Sequence, residues 1–176
     1  MRRIILALAG LAIVTTGCGG GPMSETEYVE GFNDLTSSAG PRFEAIYAAY
    51  ERIADPTLSD LVDRFEQELT IMYEVRDRFE ALDPPASITE VNGIMVDILG
   101  RLIGAAEAVV EASGTVGSRE ELEQTAQFAA YQSINAESES MCPAVQAEFD
   151  NLSNRAVIDD PWISDLRLSV RAYLDC

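Results

Sequence analysis

Carboxylates are the commonest residues of this chain that could do chemistry. The sequence has 30 Asp and Glu residues against 12 basic residues, and it contains no histidine. Without histidine, a serine–histidine triad, a cysteine–histidine pair and the histidine-containing zinc and di-iron sites are all excluded. An enzyme would have to work with Asp, Glu, Arg, Tyr or Ser, and no such motif is recognisable. We therefore predict a non-enzymatic protein without a cofactor or a bound metal.

The charge balance limits the partners that the protein can have. A net charge of −18 repels nucleic acid and anionic lipid headgroups, so contact with a membrane has to come from an anchor. Arg76, Arg78 and Arg101 would bind an anion if they converged, but each has an acidic residue at helical spacing. The acidic excess has two interpretations: an adaptation for solubility or salt, or a surface that attracts cations or a basic partner.

The first residues have the pattern of a secretory signal. Arg2 and Arg3 form a positive region, and the apolar run from Ile4 to Val14 follows it. That run is too short to cross a bilayer, which takes roughly 20 apolar residues in a helix. A cleaved signal peptide is therefore favoured over a transmembrane anchor.

The residues that follow carry a resemblance. Thr15, Thr16 and Gly17 precede Cys18, and the chain continues as Gly-Gly-Gly-Pro. This stretch resembles the lipobox of bacterial lipoproteins, although Thr15 stands where a Leu is usual. The resemblance implies that Cys18 becomes the acylated N-terminus of the mature protein on the outer face of the cell membrane. Two or three acyl chains hold a protein stably on a bilayer, and the Gly-rich residues would form a flexible tether.

Export would also place the remaining cysteines in an oxidising compartment. Cys142 and Cys176 have neither a Cys-x-x-Cys spacing nor basic neighbours that would lower a thiol pKa. A structural disulfide is therefore preferred over redox-active free thiols. Such a bridge would tie the C-terminal residue to the domain and contribute roughly 3–4 kcal/mol if unstrained.

The mature chain has the start signals and apolar spacing of helices. Apolar residues recur every three or four positions, and in the first segment they stay in phase across Gly40-Pro41, which predicts one kinked helix or two stacked pieces. Asn151 to Asp159 is predicted as a loop, followed by a short final helix, for which a strand is the alternative. The predicted starts are the capping boxes Ser24–Glu27, Ser87–Glu90 and Ser118–Glu121 and the Asp-Pro pairs at Asp55 and Asp160.

Three glycines interrupt the third predicted helix. Gly93, Gly100 and Gly104 share a face that differs from its apolar stripe. Interior glycines cost about 1 kcal/mol each relative to Ala, so a compensating interaction is expected. The close approach of a neighbouring helix is one explanation, and a groove for a ligand is the other. Packing between membrane helices is excluded because Asp97 and Arg101 lie in the same segment.

Together these patterns predict an all-α protein, an antiparallel bundle of four to five helices behind a cleaved signal peptide and a flexible tether. The signal peptide covers residues 1–17, the acylated Cys and tether 18–23, and the bundle 24–176. The predicted function is that of a membrane-anchored lipoprotein that binds or scaffolds an envelope protein partner. The alternative is a carrier that holds a small or apolar ligand between its helices, near the three glycines.

Overall fold

The computed structural model describes residues 21–155, and these form an all-α helical bundle. No β-strand occurs in this part of the chain. The predicted signal peptide, Cys18 and the predicted final helix lie outside the described residues. The helices are α1 (Glu25–Tyr50), α2 (Leu58–Glu80), α3 (Thr89–Ser113), α4 (Arg119–Glu123) and α5 (Ala126–Arg155).

Helix α1 begins as the sequence predicts. The Ser24 hydroxyl accepts a hydrogen bond from the Glu27 amide at 3.2 Å, and the Glu27 carboxylate accepts one from the Ser24 amide at 2.8 Å. The helix then continues without interruption through Pro41, which confirms one long helix rather than two pieces. Its N-terminus is fixed to the rest of the bundle, because the Met23 amide donates to the Asp83 carbonyl at 2.8 Å.

The predicted start of α2 at Asp55-Pro56 is wrong. The helix is capped by Thr57, whose hydroxyl accepts from the Asp60 amide at 3.3 Å while the Asp60 carboxylate accepts from the Thr57 amide at 2.8 Å. This reciprocal arrangement satisfies two backbone donors, whereas a single Asp cap satisfies one.

The start of α3 also differs from the prediction. Ile88 is its N-cap, without a side-chain hydrogen bond, and the predicted Ser87–Glu90 capping box is absent. The Ser87 hydroxyl instead donates to the Glu25 carboxylate of α1 at 2.7 Å. At α4, Ser118 caps the helix, because its hydroxyl accepts from the Glu121 amide at 3.2 Å. The second half of the predicted capping box is absent, because the Glu121 carboxylate accepts from the Gly117 amide at 2.7 Å instead.

Helix α5 is longer than predicted. It runs through Pro143 to Arg155, so the loop predicted from Asn151 is helical at least to that residue. The Thr125 hydroxyl accepts from the Phe128 amide at 3.2 Å at the start of this helix. Pro143 lies in the interior of α5, where a proline removes one backbone hydrogen bond. Val145, two residues later, is buried in the core, and such packing offsets the loss.

The four long helices pack in the order α1, α2, α3, α5. Helix α1 runs antiparallel to α2, because Met23 bonds to Asp83 at one end and Arg42 to Glu74 nearer the other. Edge-to-face packing of Phe32 on Phe79 joins α1 to α2, with ring centroids 5.5 Å apart. The buried Tyr28 hydroxyl donates to the Asn92 side chain at 2.7 Å and ties α1 to α3. Within the described range α1 and α5 make no backbone contact with one another. Side chains bridge these two helices instead, because the hydroxyls of Tyr47 on α1 and Tyr131 on α5 interact.

Candidate functional site

A cavity of about 580 Å³ lies among the four long helices. All four helices contribute to its wall, including α1 and α5, whose backbones do not meet. Its volume falls within the roughly 300–1,000 Å³ that is typical of small-molecule sites. Its apolar lining residues are Phe43, Met72, Phe79, Met95, Ile98, Leu99, Leu102, Met141 and Val145, and its polar ones are Glu44, Tyr47, Glu68, Tyr131, Asn135 and Ser138, with Gly40 completing the wall.

Helical periodicity explains how these residues reach one space. Residues three and four apart on a helix lie on the same face. The α3 lining residues run from Met95 to Leu102 in steps of three, one and three, and the α1 lining residues from Gly40 to Tyr47 follow the same steps. On α5 the lining residues recur at steps of three or four between Tyr131 and Val145. Each helix therefore presents one continuous stripe to the cavity.

The most unusual residue in the wall is Glu68. Its side chain is only 1% exposed, and it is surrounded by core residues of α2. One carboxylate oxygen, Oε1, lies 3.0 Å from Nε of Arg64, one turn earlier in the helix. The other oxygen, Oε2, accepts a long hydrogen bond from the Tyr131 hydroxyl at 3.4 Å. The Tyr47 hydroxyl of α1 also interacts with this carboxylate.

The Arg64 guanidinium pairs with the carboxylate, and Arg64 is not among the lining residues. Its central carbon is 4.7 Å from the ring centroid of Phe65 and 5.1 Å from that of Tyr50. Cations are attracted to aromatic ring faces at these distances. The arginine is therefore held both by an ion pair and by aromatic rings, and of the two charged partners only Glu68 lines the cavity.

Glu68, Arg64, Tyr47 and Tyr131 form what we call the Glu68 cluster, and burial is the main cause of the pKa shifts of its carboxyl and hydroxyl groups. Loss of hydration raises the pKa of Glu68 above its ordinary value, although Arg64, Tyr131 and Tyr47 act in the opposite direction. Burial likewise raises the pKa of the Tyr131 and Tyr47 hydroxyls, and the adjacent Glu68 carboxylate adds to both shifts. Both tyrosines are therefore neutral hydrogen-bonding groups near the carboxylate.

The structure does not bring the predicted glycine groove and this cavity together. Gly93, Gly100 and Gly104 are exposed and none of them lines the cavity. Apart from the backbone of α3 itself and the adjacent residues, a Cβ atom added at any of them would meet no described atom within 4 Å. The close approach of a neighbouring helix, one of the two interpretations of these glycines, is therefore wrong for the described residues.

The three arginines considered as an anion site do not converge. Arg101 forms a two-pronged pair with Glu137 of α5, with one nitrogen–oxygen distance of 2.8 Å. Arg76 pairs with the adjacent Asp77, and Arg78 donates to the Ser38 hydroxyl at 2.7 Å. Each is therefore engaged separately on the surface.

The predicted cysteine chemistry remains a prediction. Cys18 and Cys176 lie outside the described residues. Cys142 falls within α5, and its side chain is not among those described. The proposed lipid attachment and the proposed disulfide are therefore untested by the structure.

The described residues contain no group of three or more metal-ligating side chains. Within the same range no helix is long and apolar enough to cross a membrane. Comparisons of the chain with protein-family models, with curated proteins and with solved structures give no match. The interpretation of the cavity therefore depends on its own geometry.

The Glu68 cluster was missed at the level of sequence, although a signal was present. The buried residues Leu61, Phe65, Met72, Val75 and Phe79 are spaced so that position 68 completes a regular alternation of four and three. A glutamate in a core position, with an arginine one turn earlier, is the pattern of a buried ion pair, because charged residues are almost never fully buried without a partner.

Proposed function

We propose that this protein is a lipid-anchored binding module that holds a small, mostly apolar molecule in the cavity between its four long helices. The observation that carries the proposal is the cavity itself, which combines a mainly apolar wall with a few polar groups. This combination is characteristic of small-molecule sites, in which apolar surface supplies affinity and polar groups fix orientation. A carrier of this kind is favoured over a scaffold for an envelope protein, because the cavity is a concave space lined by all four long helices.

The proposed location is the outer face of a bacterial cell membrane. It is supported by the signal-like residues 1–17 and by the lipobox-like residues before Cys18. The anchor would attach next to the end of the bundle where Met23 is bound to the Asp83 carbonyl.

Two serines of α5 allow a matched test of the cavity. Ser138 lines the cavity and Ser140 is exposed, and each donates a hydrogen bond of 2.7 Å to the carbonyl three residues earlier. Binding of the neutral fluorescent probe N-phenyl-1-naphthylamine would be measured by titration. We expect wild-type protein to bind it with enhanced emission, Ser138→Phe to bind it at least about tenfold more weakly because the added ring fills the cavity, and Ser140→Phe to bind it as wild type does.

Two results would overturn the ligand proposal. One is the absence of probe binding to folded wild-type protein. The other is equal weakening by both phenylalanine variants, which would place the probe outside the cavity.

The anchor has a separate test. Cys18→Ala removes the thiol to which the lipid would attach, so we expect the variant to leave the membrane fraction when it is produced in a bacterium that processes lipoproteins. Wild-type protein in the same cells is the comparison. Retention of the variant in the membrane fraction would argue against a lipid anchor.

A further inference from the structure

The charged residues in the cavity wall are all of one sign. Glu44 and Glu68 are the only charged residues that line it within the described part of the chain, and both are acidic. Glu44 is exposed on α1, whereas Glu68 is buried on α2. The nearest cation to Glu68, the Arg64 guanidinium, is not part of the lining. A ligand in the cavity would therefore face carboxylates.

Glu68 also has unused capacity to accept a hydrogen bond. Its oxygen Oε1 is buried and meets no hydrogen bond of good geometry, although Nε of Arg64 is 3.0 Å away. The remaining oxygen accepts a long hydrogen bond from the Tyr131 hydroxyl at 3.4 Å, and the Tyr47 hydroxyl also interacts with the carboxylate. A buried carboxylate whose hydrogen bonding is incomplete is unfavourable, and because Glu68 lines the cavity, a positive charge brought beside it there would be stabilised.

Aromatic rings add to the same preference. Phe43, Tyr47, Phe79 and Tyr131 all contribute to the lining. Ring faces attract ammonium groups, and sites that recognise quaternary ammonium ligands use rings for this purpose. The net charge of −18 attracts cations to the molecule as a whole. An anionic amphiphile such as a fatty acid would instead meet like charge at the surface and again in the cavity.

From these contacts we infer that the cavity selects an amphiphilic organic cation, that is, a molecule with an apolar body and an ammonium group. The apolar body would lie against the methionine, leucine and isoleucine side chains of α2 and α3. The ammonium group would lie toward Glu68 and the hydroxyls of Tyr47 and Tyr131. This inference rests on the proposed function, since it names the class of ligand that the same cavity would bind.

Three ligands with the same ten-carbon chain would test the inference on unmodified protein. Decyltrimethylammonium, decanol and decanoate differ in the charge of the head group, and each would be titrated as a competitor of N-phenyl-1-naphthylamine below its micellar concentration. The titrations would be run in about 0.5 M NaCl, where the long-range field of the protein is screened to a few ångströms. We expect the ammonium compound to bind at least about tenfold more tightly than decanol, and decanoate to bind most weakly.

Variants would then assign the preference to the cavity. Glu68→Gln keeps the size of the side chain and removes its charge, and Glu44→Gln does the same on an exposed side chain whose loss does not threaten the core. Glu66→Gln is the matched control, because it makes the same change at an exposed position of α2 that does not line the cavity. We expect the ratio of ammonium to decanol affinity to fall several-fold in Glu68→Gln and less in Glu44→Gln, and to be unchanged in Glu66→Gln.

The outcomes separate this inference from the proposed function. Tighter binding of decanol or decanoate than of the ammonium compound would overturn the cation preference and leave the ligand-binding function standing. An equal loss of preference in all three variants would also overturn it, since the preference would then come from overall charge. Failure of every competitor and of the probe would overturn both. If Glu68→Gln does not fold, the wild-type series and the two exposed variants still decide the question.

Discussion

At the scale of single residues, the buried carboxylate of Glu68 lowers the stability of the fold but gives the cavity wall a polar group. Burying a carboxylate removes its hydration, which is unfavourable. The attraction to Arg64 offsets this desolvation penalty only partly when the hydrogen bonds of the carboxylate are incomplete. Oε1 of Glu68 has no hydrogen bond of good geometry, so the desolvation penalty is offset poorly here. A buried ion pair of this quality is weak evidence for stability. It is better explained by the cavity beside it, because it places a polar group where the wall is otherwise mainly apolar.

The pH dependence of stability should reveal the cost of Glu68. Its pKa is raised in the folded protein above the ordinary value of 4.5, chiefly by burial. Protonation of Glu68 therefore stabilises the fold, and this contribution is present below pH 4.5 and lost as the pH rises through the raised pKa. We expect the free energy of unfolding of wild type, measured relative to Glu68→Gln by urea denaturation, to fall as the pH rises from about 4 to about 8.

The control for that experiment is Glu66→Gln, the same substitution on the exposed face of α2. Arg64, Tyr47 and Tyr131, which interact with the Glu68 carboxylate from α2, α1 and α5, are unchanged in both variants. A stability of wild type relative to Glu68→Gln that increases with pH would contradict the assignment.

At the scale of single elements, sequence periodicity predicted the helices better than it predicted their ends. The apolar stripe of α1 stays in phase across Pro41, and the structure confirms one helix there. Ends depend on which of several nearby polar residues completes a hydrogen bond, and Asp55 and Thr57 were both suitable by type. The choice at Ser87 depended on Glu25, which is distant in sequence and reaches it only in the folded bundle.

The start of α2 provides a direct test of the observed cap. Thr57→Ala removes the hydroxyl that accepts from the Asp60 amide, so we expect it to lower the free energy of unfolding by about 1 kcal/mol. Asp55→Ala, at the position predicted from sequence, is the control and should change stability by less than about 0.5 kcal/mol. Urea unfolding of both variants checks this, and a larger loss in Asp55→Ala would favour the earlier start.

The glycines of α3 provide a second test at this scale. Gly100 and Gly104 lie in the helix interior with open space where a Cβ atom would be added, so replacement by Ala should stabilise the protein by about 0.5–1 kcal/mol at each position. Gly31 in α1 is the contrasting control, because a Cβ there would lie 2.8 Å from Cδ2 of Leu82. We expect Gly31→Ala to be neutral or destabilising in thermal unfolding. Loss of stability in both Gly100→Ala and Gly104→Ala would show that something contacts this face.

At the scale of the described bundle, the main feature is the cavity that its four long helices share. In the described chain α1 and α5 share the wall of a cavity without backbone contact. The sequence predicts which face of each helix is apolar, but the distance between two helices depends on how the bulky residues of all four faces fit together. The all-α bundle could therefore be predicted, whereas the cavity and the Glu68 cluster in its wall could not be located in advance.

The net charge of the whole molecule leads to a prediction about how salt changes its thermal stability. A charge of −18 on a compact fold destabilises it by self-repulsion, which salt screens. The exposed ion pairs Arg42–Glu74 and Arg101–Glu137 are screened as well, but such pairs contribute little to stability. We therefore expect the Tm at pH 7 to rise as NaCl is increased from about 0.02 M to about 0.5 M. Near the isoelectric point of about 4.1 the same titration should give a much smaller rise, because the net charge is then close to zero. A Tm that falls with salt at pH 7 would mean that specific ion pairs outweigh the repulsion among the carboxylates.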